Sequence, residues 1–241
     1  MRTSNPALGN NTFSSARAQG GQDVMTIQGT VNKTLFLLFC TMMMAGWAWS
    51  TPQAALPLTM PALIAGFIIA LVTVFKKEWA AVTAPLYAVV EGVILGSISL
   101  IFEKSYPGIV SQAVTLTFGV LFSLLLAYKF GFIRATENFK LGIFAATGGI
   151  ALLYFINFVM GFFGKQMNFI YAATPIGIGF SVIVVIIAAL NLVLDFDFIE
   201  NGAEQGAPKY MEWYGAFGLM VTLIWLYLEI LRLLSKMRRR D

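Results

Sequence analysis

The sequence predicts an all-α membrane protein, a single bundle of seven transmembrane helices, and three observations carry that expectation. Hydrophobic residues make up 58% of the 241 and charged residues only 12%, with a mean hydropathy of +0.77; soluble domains carry about twice that charged share. Seven apolar runs recur at fairly even spacing, each near the roughly 20 residues that let a helix cross the hydrocarbon. Lysines, arginines and several tryptophans fall at the ends of these runs, where such side chains anchor helices at the interface.

Taken in order, residues 1–32 are rich in Gly, Ser, Asn and Thr and hold no apolar block of signal-peptide length. They read as a flexible, membrane-proximal tail. The transmembrane domain is expected over 33–235. Its first span runs from Lys33 to Trp49, with Trp47 and Trp49 as anchors, and TPQAALP reads as a short turn. The second span covers 57–75 and stops at KKEW; the third covers 84–103; the fourth runs from Pro107 to Tyr128 and is closed by Lys129. The fifth covers Leu141 to Phe163. The sixth extends from Tyr171 through LVLDFDF, with Pro175, Gly177 and Gly179 suggesting a kink at its start, and the loop IENGAEQGAPKYME follows. The seventh runs from Trp213 to Leu234, leaving 236–241 as a basic tail.

The net charge of +4 arises from 16 Lys+Arg against 12 Asp+Glu, clustered in loops and the C-terminal tail. That distribution suits a membrane surface and the lipid bilayer as partner, not nucleic acid. Cys40 is the single cysteine, which rules out an internal disulfide or a Cys-based zinc site. The absence of histidine removes the base of Ser-His or Cys-His catalysis. Proton-linked behaviour must then rest on carboxylates. No cofactor motif is present.

With a cytoplasmic N-terminus, Lys76, Lys77, Lys129, Arg134 and Lys140 all fall inside, as the positive-inside rule asks. Arg238, Arg239 and Arg240 would then lie outside if all seven spans are complete, or inside if one is re-entrant.

An ionisable side chain near the bilayer centre costs at least about 2.5 to 3.5 kcal/mol on insertion scales. Glu91 lies near the middle of the third span, followed by Gly92, Gly96 and Ser99 at spacings that permit close helix contact. It reads either as a hydrogen-bonding post between helices or as part of an ion path. In the sixth span Ser181, Ala188, Asn191 and Asp195 share a face that looks like a lining. Asp197 points about 200° away from Asp195 and reads as a solvated end-of-helix charge. Asn157 reads as a helix–helix hydrogen bond. In WLYLEILRLL, Glu229 stands three residues before Arg232, so its plainest partner is that arginine.

EGVILG in the third span, VLDFDFIENG closing the sixth and WLYLEILRLL in the seventh together resemble the Bax inhibitor family, in particular its YccA-like bacterial branch; SNPAL near the N-terminus is similar too. The resemblance implies a seven-helix bundle with the last helix central, a bacterial inner-membrane location, and a pH-sensitive calcium leak. It further implies a carboxyl pair on the last two helices, at positions matching Asp195 and Glu229, that would share a proton and could meet calcium transiently. Two neighbouring carboxylates do raise one another's proton affinity. The family's last-helix aspartate is a glutamate here, and its basic residue on the second helix has no match inside 57–75. Glu229 is thus left with two candidate partners, Asp195 and Arg232. The resemblance also suggests a second role, an interaction protein that modulates membrane proteases through the tail at 1–32. An intramembrane aspartyl protease is not expected, because the last span lacks a glycine-flanked aspartate.

Overall fold

The computed structural model describes residues 24–165 and 167–240. SNPAL and most of the expected tail therefore lie outside the described residues. Seven helices are long and apolar enough to cross a membrane: α1 Ile27–Ser50, α2 Pro52–Phe75, α3 Ala80–Ser105, α4 Ile109–Lys129, α5 Glu137–Phe162, α6 Pro175–Glu204 and α7 Met211–Arg240. A 3-10 turn, Lys77–Trp79, leads into α3, and one helical turn, Asn168–Tyr171, precedes α6.

Local chemistry sets the ends, and several differ from the sequence expectation. Helix α1 begins at Ile27, inside the expected tail, because the Thr26 hydroxyl caps it by accepting from the Gly29 N–H (3.0 Å). TPQAALP is not a turn. Only Thr51 breaks the helix, and Pro52 occupies the first helical turn of α2, where its missing N–H costs nothing. Pro175 does the same for α6 behind a Thr174 cap. Helix α4 is capped from outside: the Glu103 carboxylate accepts from the N–H groups of Gly108 (2.5 Å) and Val110 (3.1 Å). Residues 199–204 of the expected loop extend α6, and residues 236–240 of the expected tail extend α7.

Helix α7 is the hub. Helices α1, α3, α4 and α6 pack on it, α5 reaches it through Tyr154, and α2 lies outside, leaning on α3 and α1. Met220, Leu223, Leu226, Ile230 and Leu231 of α7 form the middle of the core with Leu37, Ala88, Leu95 and Leu192. The outer helices turn large apolar residues such as Phe67, Phe75, Phe144 and Phe158 outward, as lipid contact requires.

The two ends of the described chain lie on opposite faces of the bundle. One face carries Met25, whose N–H donates to the Ala207 carbonyl (2.7 Å). On the other, Arg238 donates to the Pro107 carbonyl (2.6 Å) and to Gln112 (3.1 Å).

Candidate functional site

The charged residues of the last two helices gather at three levels along α7. Glu212 opens the helix. Its carboxylate is fully buried yet accepts from the Thr26 N–H (2.9 Å), the Thr26 hydroxyl (2.8 Å), Lys209 (2.8 Å) and Lys33. This group ties the start of α1 to the start of α7. The sequence signal for it was the Lys209/Glu212 spacing, which is that of neighbours on a helix.

Asp195 occupies the middle level. The side chain of α6 turns toward α7, where the Thr222 hydroxyl bonds to it and Gly218 leaves room beside its Oδ1. Its Oδ2 is shut off from solvent and has no hydrogen-bond partner. A buried carboxyl oxygen without a donor is costly, and exceptions of this kind call for an explanation.

Glu229 defines the third level, seven residues beyond Thr222 and so about 10 Å further along the axis. Arg232 donates to both of its carboxylate oxygens (2.9 and 3.0 Å), and the Tyr154 hydroxyl of α5 donates to Oε1 (3.0 Å). The same guanidinium donates to the Tyr154 hydroxyl (2.5 Å) and lies over its ring, 5.2 Å from the centroid. Glu229 is 2% exposed and Arg232 30%, so the arginine reaches outward while neutralising a buried charge.

Of its two candidate partners, Glu229 therefore holds Arg232, and Asp195 is bonded to Thr222. The expected carboxyl–carboxyl contact is absent, because the two acids meet α7 about two turns apart. The basic partner comes from α7 itself. Lys77, at the end of the second span, instead lies over the Tyr214 ring at the opposite end of α7 (5.3 Å).

The lining expected on α6 is divided among neighbours. Asn191 donates to Thr147 of α5 (2.8 Å) and back to the Ile187 carbonyl (2.8 Å), while Ser181 accepts from Lys236 (2.7 Å). These contacts knit α6 to α5 and α7. Asp197 points away from Asp195, as the helical period requires, but it is not simply solvated: Lys140 of α5 holds it at 2.8 Å. Glu91 is half-buried and faces α2, with Oε2 3.6 Å from where a Cβ on Gly66 would stand. It bonds to Tyr87 one turn earlier, and the Tyr87 ring packs edge-on against Phe217 of α7 (5.1 Å). Asn157 fastens the 5/6 connection by donating to Tyr171 (3.0 Å) and accepting from the Met167 N–H (2.9 Å).

Lys236 is a site residue that the sequence boundary at 235 concealed. Its ammonium is buried and donates to the Ile170 carbonyl (2.6 Å), the Gly177 carbonyl (2.9 Å) and Ser181 Oγ, satisfying all three of its protons. It thereby pins the turn before α6 to the end of α7. Lys236→Met is expected to release that turn, raising amide hydrogen exchange over 168–174 by about tenfold, the equivalent of roughly 1.4 kcal/mol of lost latching. Unchanged protection there would show that the latch does not hold the segment.

These features define an integral membrane protein with seven membrane-spanning helices, built around a last helix that carries buried acids at two depths and meets a third, Asp195 of α6, between them. A family model described as Bax inhibitor 1 like matches residues 5–239, and the chain belongs to the Bax inhibitor family. Searches of curated proteins and of solved structures returned no match.

Proposed function

We propose that the protein is a pH-sensitive cation leak or transporter, with calcium as cargo, and that this conformation is its closed state. One observation carries the reading: Asp195 Oδ2 stands buried between α6 and α7 with no partner, an acceptor suited to a proton or a passing cation. Beyond it, the Arg232/Glu229/Tyr154 cluster and the ammonium of Lys236 place two positive charges at one end of α7. With Arg232 neutralised by Glu229, the ammonium of Lys236, held by neutral oxygens, is the charge that opposes the exit of a cation by Coulomb repulsion.

Opening then requires Arg232 to leave Glu229. A cation would meet Asp195 first and Glu229 only after that release, so the two carboxyls act in sequence and not as one shared-proton pair. pH enters because a proton and a cation compete for the partnerless oxygen of Asp195. Calcium is cargo in this reading and not a resident metal. The reading involves no catalysis. The family resemblance adds a bacterial inner-membrane setting, and the positive-inside distribution of Lys and Arg puts the N-terminus in the cytoplasm. The alternative role in membrane proteolysis rests on the N-terminal tail, most of which lies outside the described residues.

The test is calcium entry into liposomes that carry the purified full chain and enclose an indicator dye. In assays between about pH 5 and 8, Asp195→Asn is expected to lower the flux by about tenfold or more, roughly 1.4 kcal/mol in the barrier, and Glu229→Gln to raise it by loosening the hold on Arg232. Flux no greater than in empty vesicles across that range, from protein that remains folded, would end this proposal.

A further inference from the structure

Helices α1 and α4 both pack on α7 rather than on each other, and the space between them is a groove of about 810 Å³. Its walls are apolar and open sideways: Val31, Leu35, Phe122 and Leu125 line it while remaining well exposed. In a membrane-spanning bundle that opening faces lipid chains and not water. Past Leu38 and Phe118, which line both spaces, a second cavity of about 250 Å³ continues toward Trp49 and Val110, with Tyr227 and Ser99 in its lining.

The mouth of the larger groove has a different chemistry. Lys129 and Arg134 stand there, exposed, and neither forms an ion pair among the described residues. The two acids at the same mouth are already engaged, Asp197 by Lys140 (2.8 Å) and Glu200 by the Tyr128 hydroxyl. From Lys129 down to Phe118 the groove follows eleven residues of α4, about 16 Å of rise, close to half of the roughly 30 Å hydrocarbon thickness. An apolar slot one leaflet deep, headed by two unpaired cations, matches an amphiphile with an anionic head and a hydrocarbon tail.

We propose that the groove between α1 and α4 is a binding site for one anionic glycerophospholipid, its acyl chain lying along Val31, Leu38, Phe118 and Leu125 and its headgroup phosphate held by Lys129 and Arg134. The bound chain seals the gap beside α7 that these two helices leave open. A guanidinium and an ammonium at the same mouth favour this lipid over a zwitterionic one.

Native mass spectrometry of the purified full chain, titrated with dioleoyl phosphatidylglycerol or dioleoyl phosphatidylcholine, tests the site. Phosphatidylglycerol is expected to remain bound at a stoichiometry of one while phosphatidylcholine dissociates. Lys129→Gln with Arg134→Gln should weaken phosphatidylglycerol binding by about thirtyfold and bring the two lipids level. Leu125→Trp, which fills the groove and leaves both cations in place, should remove the single tight lipid without changing thermal unfolding in lipid-free detergent. Equal retention of both lipids by the unaltered chain, or phosphatidylglycerol binding untouched by Leu125→Trp, would identify the bound lipid as ordinary boundary lipid and overturn the proposal.

Discussion

Glu212→Ala is expected to destabilise the bundle by about 2 to 3 kcal/mol, seen as a marked fall in the thermal unfolding temperature of the detergent-solubilised protein. Removing one partner of a buried ion pair typically costs roughly 3 to 5 kcal/mol. Here the cations are 19% and 46% exposed, so Lys33 and Lys209 recover part of their hydration and the lower figure applies. The carboxylate also satisfies the Thr26 N–H, which sits at the start of α1 with no carbonyl partner of its own turn. Alanine orphans that donor as well. A Cβ at position 29 would overlap the Glu212 carboxylate, so α1 approaches this closely only because glycine stands there. Glu212→Gln retains the shape and a neutral acceptor and should recover about half of the loss, since hydrogen bonds to a charged group are worth roughly twice neutral ones. If Glu212→Ala unfolds within about 0.5 kcal/mol of the parent protein, the range of an ordinary surface change, the cluster does not secure α1 to α7.

The spans were legible because hydropathy reports transfer into lipid directly, and all seven helices fall where the apolar runs lie. Their ends were less so. At TIQGTVN the start of α1 depends on one threonine cap, and at TPQAALP the prolines suggested a turn although Pro52 is compatible with a first helical turn. The end of α7 was set at Leu234 by charge, yet Lys236 stays buried because three oxygens from elsewhere in the chain accept its protons. The site divides in the same way. Arg232 was visible as a partner of Glu229 by its spacing, and Tyr87 lies one turn from Glu91. Tyr154, 75 residues from Glu229, and Thr222 opposite Asp195 come together only through packing. That packing also separates the two acids that family resemblance had placed side by side.

The interface between α1 and α3 yields the second large effect. Ala80, Ala84, Ala88, Gly92 and Gly96 recur every four residues on α3 and are all buried, a ridge of small side chains that lets two membrane helices approach closely. A Cβ on Gly92 would stand 2.5 Å from the Thr41 carbonyl oxygen and 2.7 Å from Met44 Cβ; one on Gly96 would collide with the Ala45 carbonyl and stand 2.8 Å from Ala48 Cβ. Backbone carbonyls cannot rotate away as a long side chain can, so the helices must separate. Gly92→Ala is expected to cost about 1 to 3 kcal/mol, as overpacking does, and Gly92→Leu or Gly96→Leu to leave little folded protein after detergent extraction. Gly119→Ala is the control: nothing lies within 4 Å of a Cβ there, and alanine favours a helix by about 1 kcal/mol. Glu91 precedes Gly92, and Tyr87 joins Glu91 to Phe217 on α7, so the milder Gly92→Ala displaces Glu91 while the bundle still folds. Near-parental stability for Gly92→Leu would mean that α1 and α3 do not approach as closely as the small-residue ridge requires.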